Sequence, residues 1–165
     1  PVPEICNRIL YAFSFHFYQY SKIIQDLIDV FENSGVQVHL KFHPTLQNHQ
    51  LNIQLPKNYK ILKPTNDHNL KDDYDLVLFN DTSFGLESLM EGVKSYEYDV
   101  EEDYDESRMI DFDIYDYRVN KSRLKELKDQ IITKQLEKNF PKTSMIKYIN
   151  KLYKSYSGIG GTSFF

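Results

Sequence analysis

At 165 residues the chain has room for one ordinary core, and its net charge of -4 excludes a dedicated nucleic-acid binder, which needs a basic surface. No apolar run approaches the ~20 residues of a membrane span, and the opening PVPEICNR lacks the basic stretch and long apolar run of a secretory signal. Cys6 is the single cysteine, so no internal disulfide can form, which fits a reducing, cytoplasmic setting.

Taken in order, Asn7–Phe13 (NRILYAF) reads as a buried strand with Ser14 at its carboxyl end. From Phe17 to Asn33, residues Tyr18, Ile23, Ile24, Leu27, Ile28 and Phe31 recur at helical intervals, and Asn33-Ser34-Gly35 ends the helix. Val36–Phe42 is a second strand stopped by His43-Pro44, with Lys41 near its end. Thr45–Leu55 is a loop or short helix, Tyr59–Leu62 a third strand, and Asp67–Asp73 holds one helical turn.

The stretch Asp75–Gly92 (DLVLFNDTSFGLESLMEG) organises the rest. Leu76–Phe79 is a continuous apolar run, as in a strand buried on both faces. Asn80-Asp81-Thr82-Ser83 supplies turn and N-cap residues. Leu86, Leu89 and Met90 then follow at helical spacing, and Gly92 closes the helix. Strand, hydroxyl-rich turn and helix N-terminus together make an anion site, with free backbone N–H groups and the positive end of a helix dipole. The same residues also read as an ordinary βα unit with a Thr/Ser cap.

Lys94–Tyr98 is a fifth strand, overlapping an acidic, tyrosine-rich segment over Glu97–Asp116. Asn120 caps a helix carrying Leu124, Leu127, Ile131 and Ile132, and Pro141 opens a last helix with Met145, Ile146, Ile149, Leu152 and Tyr153 on one side. The alternation predicts an α/β fold: a Rossmann-like, doubly wound parallel sheet of about five or six strands with helices on both faces. It fills 1–154, and the Gly/Ser-rich 155–165 is a flexible tail. Because Pro1 stands where an initiator Met would, the chain is expected to be a processed or excised fragment. Thirteen Tyr, no Trp and plentiful Lys, Asn and Ile fit an AT-rich bacterial genome.

Parallel sheets bind ligands outside the carboxyl ends of their strands, where His43, Asp81, Thr82 and Ser83 are placed. Proline after His43 keeps that residue extended, so its ring can reach a diphosphate oxygen or protonate a leaving phosphate. It also reads as a polar residue ending a strand. Glu87, four residues after Ser83, can face the same ligand and accept hydrogen bonds from ribose hydroxyls, or simply favour the first turns of the helix electrostatically. Glu91 is read as surface. Asp111-Phe112-Asp113 is a D-x-D triplet, weak as a metal motif in so acidic a segment, and no metal site is expected. No dinucleotide fingerprint, phosphate-binding loop, nucleophile elbow or zinc spacing occurs. His16, His39, His49 and His68 are read as surface or loop residues.

Together, K-F-H-P (Lys41–Pro44) and D-T-S-F-G-L-E-S-L-M-E-G (Asp81–Gly92) resemble paired motifs of bacterial GT-B glycosyltransferases acting on surface polysaccharides. The enzymes that transfer Kdo or sialic acid carry S-S-x-x-x-E-x-x-x-x-G, which Thr82–Gly92 matches with Thr first. The teichoic-acid glycerophosphotransferases, which use CDP-glycerol, have K-x-H-P, a D-x-S-S turn and a segment like Y-D-L-E-E-Y-R-D-E-L-R-G-F-Y-F-D. Tyr98–Asp113 (YDVEEDYDESRMIDFD) lies along that segment without a gap, and ILYAFSF is similar to that family's I-L-Y-A-P-T-F. This second resemblance covers roughly residues 9–113. It departs in a turn one residue shorter, Glu87 in place of Asp, and Met109 in place of glycine.

The resemblance implies one half of a GT-B fold, the carboxyl-terminal donor-nucleotide domain, with a missing amino-terminal acceptor domain or subunit as partner. It implies a nucleotide-activated sugar or polyol donor, cytidine-linked, as substrate and no metal cofactor. It implies that His43 meets the donor diphosphate as the catalytic residue. Ser14, Lys41, Pro44, Asp81, Thr82, Ser83 and Glu87 line the donor, and Arg108 reaches the same anion or braces its loop. The whole enzyme would then lie in the cytoplasm or at the inner face of the plasma membrane. A flavodoxin-like or receiver-like interaction domain and a sugar-nucleotide epimerase of GT-B shape are the alternatives.

Overall fold

Ile9, Leu10, Tyr11 and Ala12 are apolar at successive positions, a pattern that suits a strand covered on both faces. They form β1 (Arg8–Ala12) at the centre of the sheet in a computed structural model that describes residues 7–14, 20–46, 52–63, 69–80, 82–100, 118–136 and 147. The remaining elements, in order, are α1 (Tyr20–Phe31), β2 (Gln37–Lys41), a 3-10 turn (Pro44–Leu46), β3 (Tyr59–Ile61), α2 (Leu70–Asp73) and β4 (Leu76–Phe79). They are followed by α3 (Ser83–Met90), β5 (Ser95–Tyr98), β6 (Arg118–Val119) and α4 (Lys121–Ile132). All pairings are parallel, and the strand order is β3-β2-β1-β4-β5-β6.

That order is the Rossmann arrangement, with its reversal between β1 and β4. The flavodoxin and receiver arrangement would place β3 beside β1. Here β4 takes that position, with Ile9 opposite Leu76 and Ala12 opposite Phe79. The flavodoxin-like alternative is therefore corrected by the pairing itself.

Side-chain alternation sorts the core into two layers. Ile9, Tyr11, Val38, Leu40, Leu76 and Leu78 face α1 and α4, joining Ile23, Ile24, Leu27, Phe31, Leu124 and Leu127. Leu10 and Val77 face the other way, against Leu70 and Tyr74 of the α2 region and Val93, with Phe84 of α3 packed on them. Each fully buried leucine in these layers contributes about 1.5–3 kcal/mol. α1 ends with Asn33 and Gly35 both at positive φ, as the Asn-Ser-Gly signal requires. α3 ends in a Schellman turn: Val93 N–H reaches Ser88 O, Gly92 N–H reaches Leu89 O, and Gly92 has φ +79°.

Two readings change. His39 is neither surface nor loop: it lies half-buried in β2, its Nδ1 2.9 Å from the Tyr74 hydroxyl, because strand alternation turns it toward α2. Glu97 lies in β5 as expected, a buried residue beside Arg118, which also holds Asp99 at 3.2 Å. The fifth strand starts at Ser95, since Lys94 still belongs to the turn after α3. The helix expected after Pro141, the tail and most of the acidic segment lie outside the described residues, as do His16, His49 and His68. Among the described residues no helix is long and apolar enough to cross a membrane.

A buried polar knot ties α4 to α1. Asp26 receives Tyr98 Oη at 3.0 Å, Lys22 Nζ at 3.2 Å and Lys121 Nζ at 2.9 Å. Burial pushes the Asp26 carboxyl up, but the hydrogen bonds from Lys121, Lys22 and Tyr98 outweigh it and hold the group below the ordinary carboxylate range. A depressed carboxyl contributes stability that is present above the unfolded value near 3.9 and lost as pH falls through the folded one. Asp26→Asn should therefore cost about 1.5–3 kcal/mol at pH 7. Thermal melts of both proteins from pH 7 to pH 2.5 should show the gap closing below about pH 4. A gap that stays constant with pH would show that the charge of Asp26 is not what stabilises.

Candidate anion site at the strand reversal

The strand order reverses between β1 and β4, and the carboxyl ends of strands at such a reversal are the place where parallel sheets hold ligands. Ser14 and Asn80, the residues leaving the two strands, clasp each other there. Ser14 N–H donates to Asn80 Oδ1 at 3.3 Å, and Asn80 Nδ2 donates to Ser14 Oγ at the same distance. Both are buried, and the Tyr20 hydroxyl donates to Ser14 O. Ser14 is thus buried between the two strand ends, with Asn80 as the residue that fixes it.

On the β4 side the chain turns into α3. Thr82 is the N-cap: its backbone is extended and its hydroxyl accepts Phe84 N–H at 3.3 Å. Such a cap contributes about 1 kcal/mol. Ser83 is the first helical residue, so its backbone lies at the positive end of the helix. Glu87 is exposed one turn further on. Asp81 and Arg108 lie outside the described residues.

The helix can start so close to the sheet because residue 85 is glycine. A Cβ there would meet three carbons of the Phe79 ring at 2.2–2.5 Å. One turn along, buried Ser88 continues the close approach, its hydroxyl donating to Gly85 O at 2.9 Å and lying 3.1 Å from Ser95 Oγ on β5. In Rossmann nucleotide sites a glycine serves this same purpose, tight packing of the phosphate-binding helix on its strand.

On the other side of β1, β2 contributes the Lys-Phe-His-Pro run. Phe13 N–H donates to Lys41 O at 2.9 Å, which carries the pairing of β1 and β2 one residue beyond β1. Phe42 stacks on Phe13 with centroids 4.7 Å apart and planes 2° apart, anchoring the strand end. Lys41 points the opposite way, its Nζ 4.2 Å above the centre of the Phe84 ring in the first turn of α3. Burial holds its amine below the usual lysine range, while Glu87 opposes that shift. The first turn of α3 and the end of β2 are thereby brought together across β1.

His43 follows, half-exposed, at the start of the 3-10 turn. Thr45 N–H donates to its Nδ1 at 3.4 Å and Thr45 Oγ1 lies 2.8 Å from the same atom. An Nδ1 that accepts carries no proton, so the neutral ring has its proton on Nε2. Pro44 is exposed and opens that turn, presetting the geometry that brings Thr45 back to the ring. Among the described residues no group of His, Cys, Asp or Glu is arranged to hold a metal ion, and the D-x-D triplet lies outside them.

Ser14, Lys41, His43, Thr82 and Ser83, all singled out in the sequence, stand at or just beyond the carboxyl ends of β1, β2 and β4, whereas Asn80 and Gly85 were given no role there. Asn80 was visible only as a turn residue. Gly85 had a signal, a glycine in the first turn of a helix that follows a buried strand.

No family model matches the chain, and no curated protein matches it. Among solved structures, that of a glycotransferase of kitacinnamycin superposes with a TM-score of 0.52 at 14% identity, over 94% of this chain and 40% of that one. The glycosyltransferase SnogD from Streptomyces nogalater gives 0.46 at 12% identity, over 91% of this chain and 46% of that one. The chain spans less than half the length of either structure. What is shared is the fold: a Rossmann-like α/β sheet equivalent to one half of a GT-B glycosyltransferase.

Proposed function

We propose that this chain is the donor-nucleotide-binding half of a GT-B transferase, and that its donor is a nucleotide-activated sugar or polyol destined for a cell-surface polymer. The observation that carries the reading is the convergence of Lys41, the first turn of α3 and the Ser14–Asn80 clasp at the reversal of strand order between β1 and β4. Thr82 and Ser83 hold phosphate at the helix N-terminus, and Glu87 takes the ribose hydroxyls. His43, protonated on Nε2, donates to the departing phosphate. Asp81 and Arg108 complete the donor contacts. The K-F-H-P and Thr82–Gly92 motifs favour a cytidine nucleotide. The acceptor and its activating base belong to a second domain or subunit, so the chain alone binds donor without turning it over. The reaction needs no metal ion, since histidine, lysine and helix dipole supply the counter-charge. A peripheral site at the cytoplasmic face of the membrane suits an enzyme of this kind.

Calorimetric titration of the chain with CMP, CDP, UDP and GDP, with and without Mg²⁺, tests the proposal. Cytidine binding that is indifferent to Mg²⁺ is the expected result. Preference for UDP or GDP would keep the donor-domain reading and discard the cytidine assignment. Absence of binding to all of them would remove its basis. An epimerase of the same shape would instead consume a sugar nucleotide without any acceptor.

A further inference from the structure

Alternation along β2 sends Val38 and Leu40 into the layer under α1 and leaves His39 and Lys41 on the α2–α3 side. Lys41 is half-buried there, yet among the described residues it has no carboxylate within ion-pair distance. What it does have is an aromatic face, the Phe84 ring at 4.2 Å, and Glu87 at longer range. A ring is a weak partner for an ammonium compared with an anionic oxygen. The ring also belongs to the first turn of a helix, whose own positive end repels a cation. An ammonium kept at such a place is poised for an incoming negative charge.

The charge count says which one. A helix N-terminus supplies roughly half a positive charge, adequate to orient one phosphate group. A nucleoside monophosphate carries close to two negative charges at neutral pH, and a diphosphate adds roughly one more. The unit needed to match that extra charge is a single ammonium.

We propose that Lys41 is the residue that selects a nucleoside diphosphate over the corresponding monophosphate, leaving the Phe84 face to pair with the second phosphate. This rests on the donor-binding reading above. His43, two residues on, then works on a phosphate whose charge Lys41 has already offset.

The test is titration of the chain, and of its Lys41→Met, Lys41→Arg and Phe84→Leu variants, with CMP and CDP, and with UMP and UDP in parallel. Circular dichroism confirms that each variant is folded. The unaltered chain should bind the diphosphate about 10- to 100-fold more tightly than the monophosphate. Lys41→Met should lower diphosphate affinity at least tenfold and move monophosphate affinity less than threefold. Lys41→Arg should recover most of the loss, and Phe84→Leu, which keeps the charge, should keep the selectivity. Equal losses for both nucleotides would mean that Lys41 merely supports the fold, and would overturn the proposal. So would unchanged affinities in Lys41→Met, or a preference of the unaltered chain for the monophosphate. Failure of the unaltered chain to bind any nucleotide would overturn the donor reading and this proposal together. If Lys41→Met does not fold, the comparison of Lys41→Arg with the unaltered chain still decides: selectivity must follow the retained charge.

Discussion

On the proposed donor-binding reading, replacing His43 by alanine should abolish donor use by the complete transferase while leaving the fold in place. The ring is half-exposed, belongs to neither core layer and hydrogen-bonds Thr45 within its own turn. Its removal therefore opens no cavity in either core layer. Turnover is another matter. A positioned proton donor contributes about 10²- to 10⁴-fold, and Nε2–H is the proton that Thr45 leaves in place. Initial rates with saturating donor, measured beside a thermal melt, check both halves of the expectation. A variant with normal turnover would sink the assignment of His43. A variant that loses rate only because it melts early would move the residue from chemistry to structure.

The second large effect is on stability, and its position is Gly85. Alanine there puts a methyl carbon 2.2 Å from the Phe79 ring, far inside van der Waals contact, so either α3 or the ring must move. Overpacking of this kind costs about 1–3 kcal/mol, occasionally more. In a domain of this size each kcal/mol lowers the melting temperature by about 2–4 °C. Gly85→Ala should thus melt roughly 4–10 °C lower. Phe79→Leu in the same chain should return at least half of the loss, because the two substitutions share one volume and are not additive. The displaced α3 should also weaken nucleotide binding in the single variant. If Gly85→Ala melts like the unaltered chain, the close seating of α3 on β4 is not what the glycine is for.

The strands and helices were legible where a one-dimensional signal is strong. The run Leu76–Phe79, the helical spacing of Ile23, Ile24, Leu27 and Phe31, and the caps at Asn120 and Gly92 all hold. The order of the strands was not legible, since nothing in Ile9–Ala12 states which neighbour it takes. It is tertiary packing that seats β4, and not β3, against it. For the same reason His39 was misplaced: a histidine in a strand looks like one in a loop until its partner Tyr74, 35 residues away, is known. Glu97 was read correctly in the fifth strand, but its partner Arg118 was not legible, because it belongs to a two-residue strand too short to announce itself. In the candidate site, Ser14, Lys41, His43, Thr82 and Ser83 were named from residue types, motif spacing and resemblance, and Asn80 was not. The clasp of Ser14 with Asn80 spans 66 positions and carries no local signature.

The strand order also has a consequence for the making of the protein. β1 is made before the other strands of its sheet and finds β2 within a few dozen residues, but its other edge waits for Leu76–Phe79. Until then the nascent chain holds the future midline of its sheet as an open border of unpaired backbone groups flanked by apolar side chains, the kind of edge that recruits foreign strands. Synthesis and closure must therefore keep pace over that interval. A pause in translation before residue 80 would leave the hazard standing.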